Sequence, residues 1–183
     1  YRRKELLPPY NLTEGEYYLA NFLDKKLPKE WTIHAKPAIK QWGSYMTKKT
    51  PDVVIVHKKK GIMIFEVKDR KTGSKYIYNS PIKQVQGYRN LLLEGIPEID
   101  EEIYFDKKKI KLIKIGVYFH FATTKEAKFM CGPHDSFKCN VFGREALNNE
   151  KIKNIIPLLI EDNQNIMKSG WLQKFNNWIM PPL

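Results

Sequence analysis

The sequence predicts a mixed α/β protein in which a central β-sheet is flanked by helices. Three observations carry that prediction: a capped amphipathic run at Thr13 to Leu27, a hydrophobic hairpin from Val53 to Val67, and a second helical stretch after Ser80-Pro81 that leads into another apolar strand. Helical and strand periods thus alternate along the chain, with no internal repeat and no linker that would divide it. We therefore expect one domain over residues 1–183, with a core at about 14–122 and a helical extension at about 145–180.

Thr13 and Glu16 have the spacing of a capping box, in which the Thr hydroxyl accepts from an early helix N–H and the Glu reaches back. Leu19, Ala20, Leu23 and Leu27 follow at helical spacing, and Pro28 stops the run. Trp31 to Ala35 reads as a strand that leads into an irregular polar stretch through Lys49. Two apolar runs, Val53 to Val56 and Ile62 to Val67, then flank the turn-like Lys58-Lys59-Lys60-Gly61. Beyond a polar excursion, Asp69 to Asn79, a helix begins at Ser80-Pro81, aligns Gln84, Tyr88, Leu91 and Leu92, and ends near Gly95. Leu112 to Phe121 is apolar on both faces and predicts a central strand. Phe129 to Phe142 reads as loop or short strands, Glu145 to Leu159 as one or two short helices broken by Pro157, and Trp171 to Ile179 as a terminal helix.

The 32 Lys and Arg residues outnumber 20 Asp and Glu, a net charge of +12 that favours a polyanionic partner. The excess is mostly Lys, spread through Lys58 to Lys60, Lys68 to Lys75 and Lys107 to Lys114. That pattern suits phosphate attraction better than base reading, although a solvated Lys-rich surface would have the same composition. Cys131 and Cys139 make no disulfide framework, Tyr1 to Leu12 has no signal-peptide pattern, and no apolar run would span a bilayer, so we expect a soluble, cytoplasmic protein. Tyr1 in first position suggests a piece of a longer chain.

The hairpin carries the candidate chemistry. With a side-chain period of two, Ile62, Ile64, Glu66 and Lys68 face one way, and Met63, Phe65 and Val67 the other. A three-residue loop at Lys58 to Lys60 sets Asp52 opposite Glu66, so both carboxylates enter the same space; a slip of one residue would separate them. Two carboxylates and the Val67 carbonyl make a hard oxygen set suited to Mg²⁺ or Mn²⁺, able to polarise a phosphate and activate water. Lys68 would orient the attacking water and offset developing negative charge. The competing reading is an ordinary hairpin edge, with Glu66 and Lys68 as a salt bridge and Asp52 at a strand end.

Thr50-Pro51-Asp52, followed by Ile64-Phe65-Glu66-Val67-Lys68-Asp69, resembles the signature of the PD-(D/E)xK nuclease superfamily. Gly15-Glu16 in the first helix, the Glu66 to Asp69 run and Pro81-Ile82-Lys83-Gln84-Val85-Gln86-Gly87-Tyr88 are more narrowly similar to the nuclease-related domain, NERD. That resemblance implies a restriction-endonuclease-like central mixed sheet flanked by helices. It further implies a catalytic group of Asp52, Glu66, Lys68, Gln84 and Glu16, with metal held by Asp52, Glu66 and Val67 and with Mg²⁺ as cofactor, for which Mn²⁺ substitutes. DNA is the implied partner, together with a helicase domain or subunit. Three functions stay open: helicase-coupled DNA processing or repair, a defence endonuclease acting alone, and a catalytically inactive nucleic-acid-binding or scaffolding module.

Glu16 is either a helix cap or a site acid, with Glu14 as the fallback. Gln84 would contact phosphate or water. Among the histidines, His57 beside the Lys turn is the one available for phosphate contact, while Lys75, Tyr76 and Tyr78 sit in a loop suited to nucleic acid. Cys131, His134 and Cys139 lack a fourth ligand at zinc-site spacing and read as incidental loop residues.

Overall fold

A computed structural model of the chain describes residues 12–36, 51–69, 80–96, 103–105, 108–110, 113–132, 139–149, 151–160 and 170–179. Helix α1 (Glu14–Lys26) opens with both halves of the capping box. Strand β1 (Thr32–Ala35), β2 (Val53–His57) and β3 (Gly61–Lys68) then form an antiparallel meander. Helix α2 (Ser80–Gly95) lies between β3 and the next strand of the main sheet in sequence, with a short antiparallel ribbon of β4 (Ile103–Phe105) and β5 (Lys108–Ile110) interposed. Strand β6 (Ile113–Phe119) pairs parallel with β3, helix α3 (Thr124–Cys131) follows, and β7 (Asn140–Gly143) pairs parallel with β6. The main sheet is thus mixed, with order β1-β2-β3-β6-β7.

The two faces of this sheet hold separate cores, as the period-two alternation of β2 and β3 requires. Val54, Val56, Ile62 and Ile64 pack with Ile82, Val85 and Leu92 of α2, Ala127 of α3, and Phe175 of α6 (Trp171–Trp178). On the other face, Val53, Ile55, Met63 and Phe65 meet Leu19, Ala20 and Leu23 of α1. The short helices α4 (Ala146–Asn149) and α5 (Ile152–Ile155) bring Leu147 and Ile155 to that second core. Each sheet face is covered by helices, so β3 and β6 are buried over nearly their whole length.

Two sequence-based expectations change here. Phe129 to Cys131 belongs to α3, which begins with a second capping box between Thr123 and Glu126, so that part of the expected loop is helical. Pro157 does break the segment after Glu145, but it opens a single 3₁₀ turn, Pro157–Ile160, because a missing N–H is tolerated at a first helical position. The stretch ending at Lys49, the Lys75, Tyr76 and Tyr78 loop, and His134 lie outside the described residues. No helix among the described residues is long and apolar enough to cross a membrane.

Candidate active site

The hairpin register decides which carboxyls meet. Val53 faces Phe65 and His57 faces Gly61, so the loop is Lys58 to Lys60 and the next position along the ladder sets residue 52 against residue 66. Asp52 sits just before β2 and accepts a hydrogen bond from the Val67 N–H through Oδ2 at 2.7 Å. The N–H and C=O of one strand residue point to the same edge, so the Val67 carbonyl faces the β2 side of the strand as well. The carboxyls of Asp52 and Glu66 are near enough for each to shift the titration of the other.

Burial and mutual repulsion shape their titration. Glu66 is 7% exposed. Burial first, and the Asp52 charge second, push its carboxyl up to about 8, with Lys68 opposing. Burial also raises Asp52, the neighbouring Glu16 adds to that, and the bond from Val67 works the other way. Lys68 Nζ lies 3.5 Å from Glu66 Oε1 and donates to Gln84 Oε1 at 2.7 Å. Gln84, expected from the sequence to contact phosphate or water, accepts from the Lys68 ammonium. Tyr88, one turn further along α2, is buried on the same side. Its phenol is raised by burial and then by the charges of Glu66 and Asp52.

Glu16 caps α1 and also lies near Asp52. Its Oε1 accepts the Thr13 N–H at 3.1 Å and pairs with Lys36 Nζ at 3.1 Å, while the residue is only 2% exposed and its charge reaches Asp52. Glu14, the fallback, is largely exposed and faces His120. The capping acid can enter the site because Gly15 allows α1 to approach closely. A Cβ there would stand 2.4 Å from Asp69 Oδ1 and 2.9 Å from His120 Cβ. Asp69 accepts from the Gly15 N–H at 2.6 Å and from the Thr13 hydroxyl, locking the helix start to the end of β3.

Lys36 and the latch made by Asp69 escaped the sequence reading. Lys36 continues the β1–β2 ladder, its N–H donating to the Asp52 carbonyl at 2.7 Å, and it takes a φ of 44°. A left-handed non-glycine residue is costly and concentrates at functional sites. Lys36 is the first residue after the strand that pairs with β2, a pairing that no local sequence pattern announces. His57, by contrast, is not free for phosphate. It lies at the turn end of the hairpin, is 8% exposed, packs on Trp31 and accepts the Lys59 N–H through Nδ1 at 3.0 Å. Cys131 and Cys139 are buried thiols, raised by burial to about 11 and about 12, which keeps them from acting as ready thiolate ligands.

The donor set can be tested against a divalent ion. Glu66 Oε2 and Glu16 Oε2 are buried and have no hydrogen-bond donor among the described residues, so the site has acceptor capacity that a cation would satisfy. Among the described residues, no set of three His, Cys, Asp or Glu side chains is arranged to hold a metal. A small hard ion does not require one, since Mg²⁺ is commonly bound by one or two carboxylates with water and substrate phosphate completing the shell.

A mixed five-stranded sheet flanked by helices, with a Pro-Asp and a Glu-x-Lys meeting at one end, defines a nuclease-related α/β module of the PD-(D/E)xK type. The family model described as nuclease-related domain, NERD, matches residues 12–115, more than half of the chain, and the chain belongs to that family. No curated protein and no solved structure matches it.

Proposed function

We propose that this chain is a metal-dependent deoxyribonuclease, cutting phosphodiester bonds endonucleolytically in DNA processing, repair or defence. The observation that carries the reading is the hairpin register, which brings Asp52 and Glu66 together beside a Lys68 ammonium held by Gln84. A structural salt bridge needs neither a second carboxylate beside it nor the orphaned oxygen of Glu66.

In this account Asp52, Glu66 and the Val67 carbonyl would hold Mg²⁺, or Mn²⁺ in its place. When bound, the ion supplies Lewis-acid polarisation of the phosphate and acidifies water. Glu66 would have to be ionised to hold the ion, and Lys68 favours that form. Gln84 fixes the Lys68 ammonium so that it faces the carboxylate side, where it orients the attacking water and offsets charge on the phosphoryl oxygens. Glu16 and Lys36 form the flank nearest Asp52, and Glu16 contributes the further acidic field.

DNA is the proposed partner, drawn by the +12 charge, and the proposed setting is the cytoplasm, with a helicase domain or subunit as neighbour. Residues 1–183 act as one unit in this reading, with the core at about 14–122 and the helical extension at about 145–180. The rival reading, an inactive binding or scaffolding module, draws on the lack of a three-residue ligand cluster among the described residues. Incubation of labelled single- and double-stranded DNA with the full chain separates the two. Cleavage in Mg²⁺ or Mn²⁺ that stops in EDTA supports the enzyme, whereas tight binding without cleavage in either metal supports the module.

A further inference from the structure

The carboxyl pair has a cationic group on each flank, and the Glu-x-Lys motif accounts for one of them. Lys68 stands beside Glu66, with its ammonium against Gln84 of α2. Lys36 stands on the Asp52 side. Its N–H donates to the Asp52 carbonyl at 2.7 Å, its Nζ lies 3.1 Å from Glu16 Oε1, and its charge reaches the Asp52 carboxyl. Acidic groups at 16, 52 and 66 repel an approaching phosphodiester, so such a substrate needs ammonium groups where it enters.

Lys36 differs from a solvated surface lysine in being held at both ends. The β1–β2 ladder pairs Ala35 with Val53, so residue 36 falls opposite Asp52. There the backbone turns to a φ of 44°, which ends the extended run of β1, and the side chain meets Glu16 of α1. Among the described residues it is the one non-glycine with a positive φ. Glycine or asparagine takes that conformation at less cost, so the turn alone does not account for a lysine. The head is anchored as well: Glu16 Oε1 also accepts the Thr13 N–H at 3.1 Å, and the residue is buried, so the carboxylate cannot follow the ammonium into solvent.

The ion pair does not use up the group. An ammonium carries three donors, of which the Glu16 oxygen engages one, and the Lys36 side chain keeps 36% of its surface exposed. A positioned cation with donors to spare, at the solvent side of a buried acidic centre, suits an anionic oxygen that arrives from solvent.

We propose that Lys36 is a phosphate-binding residue of this site, donating to a phosphodiester of bound DNA on the Asp52 flank while Lys68 serves the Glu66 flank. That the bound strand is also cut rests on the nuclease reading; the phosphate contact does not.

The test is equilibrium binding of the full chain to a short labelled DNA duplex in EDTA, which keeps the duplex intact, over a series of salt concentrations. Each neutralised phosphate contributes about 0.9 to the slope of log affinity against log salt. Lys36→Met should lower the slope by about that amount, and Lys36→Arg should retain it. Lys58→Met, at an exposed position in the turn at the far end of the hairpin, should leave it unchanged. The same Lys36→Met change is then made in Glu16→Gln, whose amide can still complete a capping box. In that background Lys36 has lost its ion-pair partner, so a lysine that served only as a counter-ion would no longer matter, whereas a phosphate contact should again be worth about 0.9 in slope. This background also gives the answer if Lys36→Met alone does not fold, because no buried carboxylate is left without its pair. An unchanged slope on adding Lys36→Met to Glu16→Gln, or an equal fall in Lys58→Met, overturns the proposal. A lowered slope in a chain that never cuts in Mg²⁺ leaves the contact and removes the nuclease; cutting with an unchanged slope does the reverse.

Discussion

Glu66→Gln tests the electrostatics of the carboxyl pair without reference to catalysis. Glu66 moves from an ordinary 4.5 up to about 8 on folding, through burial and then the Asp52 charge. Between those values the folded protein holds a proton that the unfolded chain has released, so stability must fall as pH rises through that window. One proton of difference is worth about 1.4 kcal/mol per pH unit, so from about pH 5.5 to about pH 7.5 the loss is at most roughly 3 kcal/mol. For a chain of this size that corresponds to a Tm lower by roughly 6–12 °C, as an upper bound because Asp52 shares the titration. Glu66→Gln cannot release the proton and should lose this slope, becoming more stable than the parent at the higher pH. Thermal unfolding in EDTA at both pH values reads the difference directly. Parallel Tm profiles for parent and variant would refute the claim that Glu66 is buried against a second carboxyl.

Mg²⁺ should raise the Tm of the parent more at about pH 7.5 than at about pH 5.5, because the ion must displace the Glu66 proton, and should leave Glu66→Gln nearly unmoved; thermal shift checks both. Gln84→Ala frees the Lys68 ammonium, so cleavage should slow by roughly tenfold while DNA binding changes little, as single-turnover rates beside binding curves would show. Gly15→Ala forces a Cβ against Asp69 and His120 and should cost about 1–3 kcal/mol by denaturant unfolding, with activity falling because Glu16 shifts with α1. DNA binding should weaken steeply with added salt, and a flat salt dependence would remove phosphate contact as the source of affinity.

The parts of the fold that the sequence announced are those governed by local periodicity. The β2–β3 register followed from a three-residue Lys loop and a period of two, and both outcomes hold in the observed ladder. Helix α1 followed from a capping box that is present with both of its bonds. The same signal, Thr123 with Glu126, stood before α3 and was overlooked because the segment after it lacks a long apolar stripe. Within the candidate site, Asp52, Glu66, Lys68 and Gln84 are neighbours along one strand pair and one helix face, so alternation could group them. Lys36 could not be found that way, since its place depends on a β1–β2 pairing across a long intervening segment. Nor could the Glu16 dilemma be resolved locally, because one carboxylate has two oxygens and only the fold shows where each one goes.

The central claim is that Asp52, Glu66 and Lys68 form one hydrolytic centre, and Lys68→Ala tests it most directly. One Lys among 32 basic residues contributes little to the attraction of DNA, yet its ammonium acts where charge develops. Single-turnover cleavage of DNA in Mg²⁺ should therefore fall by about 10²-fold or more in Lys68→Ala, with binding measured on the same preparation close to that of the parent. Cleavage at the parental rate by Lys68→Ala would contradict the account.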